Sequence, residues 1–423
     1  MRTKSILMKT VFAGVTKAAA ALIAFLMTAV VTRILGAEES GLFLLAVSIL
    51  IFTSTFFRLG LNNVILRVIS ADKGSQYSIG AMSTGLLVSV TVGLIFTLLI
   101  YLNSPFIAVQ VFSKAPFSNV LSTMIWALPF MLVFMLLASG FQAFYRVTAV
   151  TWFQNLGLSS LFLIVFAIKY AIFGPSVLNL ENATLLYLYA AIAICIWALI
   201  AWHFQIKADW GKLDFGNKTL RDSATNLWVA STMTLAVQWS GILIAGMYVS
   251  SSDIAYLSVA QRTAMLTSLI LIAVNMVIAP RYARLWKQGD LTAIQKLSKW
   301  STRGMVALAL PILAVMVIFP ELIMGLFGDG FSEAGILLAI MAVGQFINVA
   351  TGSVGYLLTM SGHEKDFRRV TFFAGPLTVI LSYFLIMEYG VLGAAIATAI
   401  GLSLQNLLAL AMVRKRLGFW PIG

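Results

Sequence analysis

Apolar runs recur along the whole chain, and they constrain its fold more than any other feature. A helix rises 1.5 Å per residue, so a run of about 20 residues crosses the roughly 30 Å hydrocarbon core of a bilayer. A membrane β-barrel would show single alternation of apolar residues instead. Twelve spans are predicted, at 10–34, 41–66, 78–102, 119–144, 149–173, 183–206, 223–248, 253–280, 303–327, 333–359, 367–388 and 391–413. The predicted fold class is all-α, a polytopic membrane protein with 12 transmembrane helices.

The charged residues are few and unevenly distributed. Only 10% of the 423 residues are charged, whereas soluble domains average about 25%. With the N-terminus inside the cell, 22 of the 28 Lys and Arg residues fall in cytosolic segments, three in outer segments and three within spans. This asymmetry follows the positive-inside rule and predicts that both termini are cytosolic. The net charge of +13 therefore needs no nucleic-acid partner.

The two longest connections between spans, 207–222 and 281–302, are both predicted to be cytosolic. The first divides the chain into an N-terminal six-helix lobe at 1–206, a cytosolic linker at 207–222 and a C-terminal six-helix lobe at 223–423. Each half has an even number of spans. If the halves are repeats, the axis relating them lies along the membrane normal and the site lies at their interface.

Three cations, Lys17, Arg58 and Arg262, fall inside predicted spans. An Arg or Lys at the centre of a membrane helix costs about 2.5–3.5 kcal/mol on insertion scales, so such residues usually have a function. All 15 acidic residues fall in loops or at span ends, where they do not neutralise these cations. A positive interior selects anions. We therefore expect an anionic substrate, and the three cations are candidate substrate-binding residues.

Lys17 and Arg58 lie in the first two spans, each about two turns from the cytosolic end. Asn62 follows Arg58 by one helical turn and would share its face. A guanidinium with a stacked amide suits phosphate oxygens, because the planar Arg fork binds them in pairs. Two alternatives stay open: Lys17 snorkels to the inner headgroups, or Arg58 bonds to carbonyls of a neighbouring helix.

Arg262 lies in the eighth span beside a polar stripe. Gln261, Ser268 and Asn275 follow one another at seven-residue steps, which places them on one helix face. A polar stripe through an apolar helix usually faces water or another helix rather than lipid. Gln261 and Asn275 are therefore also candidate substrate-binding residues, with helix packing as the alternative.

Signals of catalysis are missing from the sequence. It has no GxxxxGK[ST] nucleotide-binding pattern, only two unpaired histidines and no metal-ligand spacing. The short outer loops leave little room for the acid, base or Arg residues of a membrane glycosyltransferase, polymerase or ligase. We expect no catalytic residue, metal or cofactor, and the chain is predicted not to be an enzyme.

Four stretches carry a resemblance to a known family. They are RILGAEESGLFLLAVSI, APRYARLWKQGDLTAIQKLSK, LLTMSGHEKDFRR and GVLGAAIATAIGLSLQNLLALAMVRKRLG. Together they resemble polysaccharide-biosynthesis flippases, the O-antigen (Wzx-type) members of the multidrug/oligosaccharidyl-lipid/polysaccharide exporter superfamily. The resemblance extends over nearly the whole chain.

The resemblance implies two six-helix lobes around a central cationic cavity in the bacterial inner (plasma) membrane. It implies a flippase that moves an undecaprenyl-pyrophosphate-linked oligosaccharide, such as an O-antigen or capsule repeat unit, to the outer leaflet by alternating access. Lys17, Arg58 and Arg262 fall where related flippases have cavity cations. The implied partners are the lipid-linked oligosaccharide and membrane lipid, and contact with polymerase or ligase machinery is left open. Two alternatives are a multidrug or metabolite cation antiporter of the same superfamily and a membrane enzyme of glycan assembly.

Overall fold

A computed structural model of the protein describes residues 2–71, 76–144, 146–174, 179–206 and 218–422. The described residues form helices and the turns that join them, and no strand occurs among them. The helices are α1 Arg2–Phe56, α2 Leu61–Ala71, α3 Gln76–Leu102, α4 Ser104–Phe106, α5 Phe117–Met124, α6 Ala127–Ala143, α7 Val147–Thr151, α8 Gly157–Phe173, α9 Leu180–Ile206, α10 Lys218–Tyr248, α11 Ser251–Ala264, α12 Leu269–Lys287, α13 Leu291–Ile318, α14 Pro320–Gly325, α15 Gly335–Ala350, α16 Val354–Met360 and α17 Glu364–Leu417. The predicted all-α class is confirmed.

Several helices are long and apolar enough to cross a membrane. The described part of the chain contains nine such candidates. A tenth is added if Thr148–Gln154 and Gly157–Phe173, which are bent by 63°, form one span. The two longest, Ala19–Phe56 with 38 residues and Glu364–Leu417 with 54, are longer than one crossing requires. The protein is therefore a multi-pass membrane protein.

Both of these long helices contain one glycine with non-helical backbone angles. Gly36 has φ 72° and ψ 178°, and Gly390 has φ 57° and ψ −135°. A positive φ is costly for residues with a Cβ atom and free for glycine, so the chain bends sharply there. A span boundary at both glycines would turn ten candidates into twelve, and the count of twelve stays a prediction. The bend at Gly36 lies in the gap between the predicted spans 10–34 and 41–66, with Glu38 and Glu39 exposed just after it.

Several predicted spans are interrupted, although each was expected to be one continuous helix. The span at 41–66 breaks at residues 57–60, the span at 253–280 changes to a 3-10 turn at Met265–Ser268, and the span at 333–359 breaks at residues 351–353. Hydropathy responds to side chains, so it does not detect a local change of backbone hydrogen bonding. This is why the expectation of continuous helices was wrong at these positions.

The chain forms two compact units. The N-terminal unit contains Leu26–Thr232 with Ser250–Ser252, and the C-terminal unit contains Met1–Phe25, Met233–Val249 and Asp253–Gly423. Of the predicted linker at 207–222, residues 207–217 lie outside the described residues, and its last five residues begin α10. The division at 1–206, 207–222 and 223–423 stays a prediction.

In the N-terminal unit, α6 lies at the centre and packs against α2, α3 and α9. Close packing depends on Gly140, because a Cβ atom there would lie 2.6 Å from the ring of Trp202 on α9. Phe141, the next residue, meets the same indole with ring centroids 5.4 Å apart. Thirteen of the 17 residues of α6 are buried, which makes it the core helix of this unit.

In the C-terminal unit, α15 and α16 both pack against α17. A core cluster joins α12, α13, α16 and α17 through Tyr282, Ile294, Leu357 and Val413, which are at most 1% exposed. Gly344 lets α15 approach α17 closely, since a Cβ atom there would lie 2.8 Å from the backbone of Ala399. A small residue therefore allows close helix packing in this unit.

Candidate functional site

Arg58 lies in the turn that interrupts the second predicted span. Helix α1 ends at Phe56, and the Leu61 amide at the start of α2 donates to the Arg58 carbonyl at 2.8 Å. Two consecutive residues after Arg58 have positive φ, Leu59 at 51° and Gly60 at 72°. Leu59 is one of only two non-glycine residues with positive φ in the described part of the chain. The turn is thus a strained feature rather than a frayed helix end.

The Arg58 guanidinium is held by its own helix. Its Nε donates to the Ser54 carbonyl at 3.1 Å, and its Nη2 donates to Thr55 Oγ1 at 2.6 Å. The last carbonyls of a helix have no partner in the helix itself, so Arg58 satisfies one of them and places positive charge at the negative end of the helix dipole. These contacts use two of the five N–H donors of an arginine. The remaining donors are available to an anion.

Aromatic rings surround this turn within the N-terminal unit. Phe57 lies 4.6 Å from Phe96, and Phe56 lies 5.0 Å from Trp228, measured between ring centroids. Arg58 itself is half-buried. An apolar environment strengthens the attraction between this cation and any anion that reaches it.

Asn62 stands in the first turn of α2, on the other side of the interruption, and it is half-buried. The prediction that Arg58 and Asn62 stack on one continuous helix face is therefore wrong, because Leu59 and Gly60 leave the helical region between them. Asn62 is still only four residues from Arg58 in the sequence.

Lys17 lies within α1, but its side chain falls outside the described residues. Its backbone belongs to the C-terminal unit, because that unit includes Met1–Phe25. Lys17 is therefore not in the same unit as Arg58, although both residues are on α1 or directly after it.

Arg262 lies in the last turn of α11, three residues before the 3-10 turn at Met265–Ser268. It is half-buried, and Ser258, one turn earlier on the same face, is fully buried. A cation in the last turn of a helix is favoured by the helix dipole. Arg58 and Arg262 thus share a feature that the sequence did not predict: each stands where regular α-helix stops.

The side chains near Arg262 in sequence are polar and buried. Gln261 Nε2 donates to the Gln238 carbonyl on α10 at 2.7 Å. Ser268 Oγ hydrogen-bonds to Gln345 Oε1 on α15 and receives a bond from Asn348 Nδ2 at 3.3 Å. The polar stripe of the eighth span therefore faces neighbouring helices, as the packing alternative expects.

Packing does not satisfy all of these groups, however. The Oε1 atom of Gln261, the Oδ1 atom of Asn275 and the hydroxyls of Ser258 and Thr263 are buried with no hydrogen-bond partner among the described residues. A buried polar atom without a partner costs about 1–3 kcal/mol. Four such atoms lie along α11 and α12, where water or a polar ligand would satisfy them.

The arrangement suits binding rather than bond chemistry. Within the described residues, no group of three or more His, Cys, Asp or Glu side chains is arranged to hold a metal ion. What it offers is charge from arginines and hydrogen bonds from amides and hydroxyls inside apolar helices. These features define a class, namely multi-pass helical membrane proteins with charged and polar side chains among apolar helices.

The chain belongs to the polysaccharide biosynthesis protein family, whose family model matches residues 6–286. A second family model, described as MatE, matches residues 228–384. The resemblance to polysaccharide-biosynthesis flippases is thereby confirmed at the level of the family. Members and relatives of this family are transporters rather than enzymes.

Two curated relatives come from Haloferax volcanii. The probable low-salt glycan biosynthesis flippase Agl15 is 26% identical over 171 residues, which are 40% of this chain and 36% of the relative. The probable flippase AglR is 26% identical over 201 residues, which are 46% of this chain and 41% of the relative. The chain therefore aligns with less than half the length of either relative.

The fold also has a counterpart among solved structures. The lipid II flippase MurJ in an inward closed conformation superposes with a TM-score of 0.76. The match covers 96% of this chain and 87% of that one, at 14% sequence identity. At this identity the likeness establishes the shared fold.

Proposed function

We propose that this protein is a flippase for a lipid-linked oligosaccharide whose headgroup carries a pyrophosphate. The observation that carries the proposal is the pair of arginines, Arg58 and Arg262, each standing within a predicted span at a point where regular helix is interrupted. An arginine at such a depth is costly unless it has a use. A visiting diphosphate provides one, because its oxygens accept paired bonds from guanidinium groups.

The binding roles divide by chemistry. Lys17, Arg58 and Arg262 bind the negatively charged pyrophosphate in a cationic cavity. Asn62, Gln261 and Asn275 donate and accept hydrogen bonds with the sugar hydroxyls. The unsatisfied acceptors of Gln261 and Asn275 support this division, because a glycan supplies the donors that they lack.

The substrate moves from the inner to the outer leaflet by alternating access, while its undecaprenyl tail stays in lipid. Each negative charge that leaves an inside-negative cell gains about 2.3 kcal/mol per 100 mV of membrane potential. The positive-inside pattern supports cytosolic termini in a bacterial inner membrane. The substrate is an O-antigen or capsule repeat unit, handed to a glycan polymerase or ligase after transport.

A cation antiporter is the second candidate, and the MatE match over residues 228–384 favours it. The interior charge argues against it. A cation exporter needs a carboxylate at depth, whereas the charged side chains here are Arg58 and Arg262. The curated relatives, both described as flippases, also favour glycan transport.

The test uses the full chain reconstituted into proteoliposomes with a fluorescent undecaprenyl-pyrophosphate oligosaccharide. Loss of fluorescence to an impermeant quencher reports the fraction of lipid that reaches the outer leaflet. Arg58→Gln and Arg262→Gln should each lower the initial rate at least about tenfold, since one charge-assisted bond is worth about 1.5–3 kcal/mol.

Matched controls separate charge from folding. Arg281→Gln and Arg284→Gln remove exposed arginines near the end of α12, and they should leave the rate within about twofold of wild type. A lipid-linked monophosphate should respond less to both site variants than the diphosphate. Wild-type flipping in both site variants would refute the proposal. Uptake of tetraphenylphosphonium by a chain that moves no glycan would establish the antiporter instead.

A further inference from the structure

Helix α13 has one exposed face along its whole length. Its buried face carries Ile294, Thr302, Met305 and Ala309, all at most 2% exposed. The opposite face turns away from the bundle from Lys296 to Ile318. The helix start is set by Asp290, whose Oδ1 accepts from the Ala293 amide at 2.9 Å. The position of the helix start fixes which side chains of α13 point outward.

The outward face begins with three cations. Lys296 and Arg303 are exposed and Lys299 is half-buried, all within eight residues. None of the three forms a salt bridge among the described residues, where both ion pairs involve Asp366. The nearest acidic residue along α13 is the capping Asp290, which is engaged with the backbone. Among the described residues, therefore, no carboxylate lies within salt-bridge distance of these three cations.

Trp300 stands among these cations with 64% of its surface exposed. The Arg303 guanidinium lies 6.0 Å from the centre of its indole ring. An exposed tryptophan is costly in bulk water but is favoured at the membrane–water interface, where its ring is in the apolar layer and its N–H reaches polar groups. The contact also orients the arginine beside the ring.

The same face becomes entirely apolar after Arg303. Leu308, Leu310, Val315 and Ile318 are each more than 50% exposed. From Trp300 to Ile318 the helix advances about 27 Å, which nearly equals the thickness of the hydrocarbon core. If this stripe faces the acyl chains, Lys296, Lys299 and Arg303 lie at headgroup level.

We propose that Lys296, Lys299, Trp300 and Arg303 form a binding site for the headgroup of an anionic phospholipid, which we call the α13 headgroup site. A soluble acidic protein or a nucleic acid fits less well, because the apolar half of the same face would remain in water. A phospholipid satisfies both halves: its phosphate pairs with the cations and its acyl chains cover the stripe. This site is independent of the proposed transport function.

The experiment measures thermal unfolding of the purified full chain in detergent while phosphatidylglycerol or phosphatidylcholine is titrated. Phosphatidylglycerol should stabilise the wild-type chain more strongly than phosphatidylcholine. In the triple variant Lys296→Gln, Lys299→Gln and Arg303→Gln, the phosphatidylglycerol concentration for half-maximal stabilisation should rise at least about tenfold, because each basic residue near an anionic surface adds to the attraction. The variant should unfold at the wild-type temperature in phosphatidylcholine.

The matched control removes the same charge elsewhere. Arg281, Arg284 and Lys287 are exposed on α12, on a helix whose next turn toward the membrane is buried at Ile278 and Ala279. Replacing these three by Gln should leave the response to phosphatidylglycerol within about twofold. An equal loss in both triple variants would mean diffuse charge attraction and would overturn the site. A wild-type response in the α13 variant would overturn it as well.

A charge-preserving variant protects the test against an unrelated folding defect. Lys296→Arg with Lys299→Arg should keep the preference for phosphatidylglycerol. Trp300→Leu should keep the charge attraction and weaken lipid retention in native mass spectra. If Trp300→Leu retains as much phosphatidylglycerol as wild type, the indole has no part in the site.

Discussion

The two interrupted helices that carry arginines differ in how the backbone breaks. At residues 57–60 the chain leaves the helical region, with φ of 51° at Leu59 and 72° at Gly60. At Met265–Ser268 the backbone keeps a right-handed conformation and only tightens, with φ of −59° at Ala264 just before the turn and −75° at Ser268 at its end. The first interruption needs particular residues, whereas the second tolerates ordinary ones.

The surroundings of the two arginines differ as well. Arg58 is bonded to its own helix and stands among the rings of Phe56, Phe57 and their neighbours. Arg262 stands among amides and hydroxyls, some of which have no partner. The comparison teaches that two arginines at helix interruptions can have different surroundings and different roles. Arg58 has a visible structural role beside its proposed binding role, while the polar groups around Arg262 belong to the proposed binding site.

The largest expected difference between the two regions is in the flipping rate after each arginine is replaced by lysine. One ammonium cannot reach both the Ser54 carbonyl and Thr55 Oγ1 and still bind a ligand, so Arg58→Lys should lower flipping about tenfold or more. Arg262→Lys keeps the charge that the proposal requires, and flipping should stay within about threefold of wild type. The proteoliposome assay measures both rates. Equal losses of flipping rate at the two positions would contradict the view that Arg58 and Arg262 have different roles.

The glycine in the first interruption should matter for stability. Gly60→Ala forces a Cβ atom into the left-handed region and should destabilise the protein by about 1–2 kcal/mol. Gly304, inside α13 with open space at its Cβ position, is the control. Gly304→Ala should be neutral or stabilise by about 0.5–1 kcal/mol. Thermal unfolding in one detergent measures both. Destabilisation by Gly304→Ala alone would contradict this account of the turn.

The hydroxyl that holds Arg58 can be tested by an isosteric exchange. Thr55→Val removes the acceptor of the 2.6 Å bond and should cost about 1 kcal/mol, together with part of the flipping rate. Thr55→Ser keeps the acceptor and should behave as wild type. If both variants match wild type, the bond does not position the guanidinium.

Asn62 should give the smallest effect. The interruption separates it from the helix of Arg58, and a neutral hydrogen bond is worth only about 0.5–1.5 kcal/mol. Asn62→Ala should therefore lower flipping about twofold to threefold. A loss as large as that of Arg58→Gln would mean that the two side chains act as one unit despite the break.

Side-chain patterns in the sequence were enough for the class of fold and for the candidate cations. Continuous apolar runs predict membrane helices because the bilayer requires them, and the bend at Gly36 falls in the gap between the predicted spans 10–34 and 41–66. The interruptions at residues 57–60, Met265–Ser268 and 351–353 were not predicted. Glycine at positions 60 and 352 was a weak sequence signal for two of these interruptions, and both glycines do adopt positive φ. Met265–Ser268 contains neither glycine nor proline and gave no such signal.

The sequence by itself determined that this chain is a multi-pass helical membrane protein, because hydrophobicity and charge are properties of the residues themselves. Only the tertiary structure decided that Arg58 caps a broken helix and that Gln261 and Ser268 bond to α10 and α15. Those facts depend on which carbonyl, hydroxyl or amide comes within hydrogen-bonding distance. That distance is set by the packing of helices far apart in sequence and by local backbone angles that no apolar pattern records.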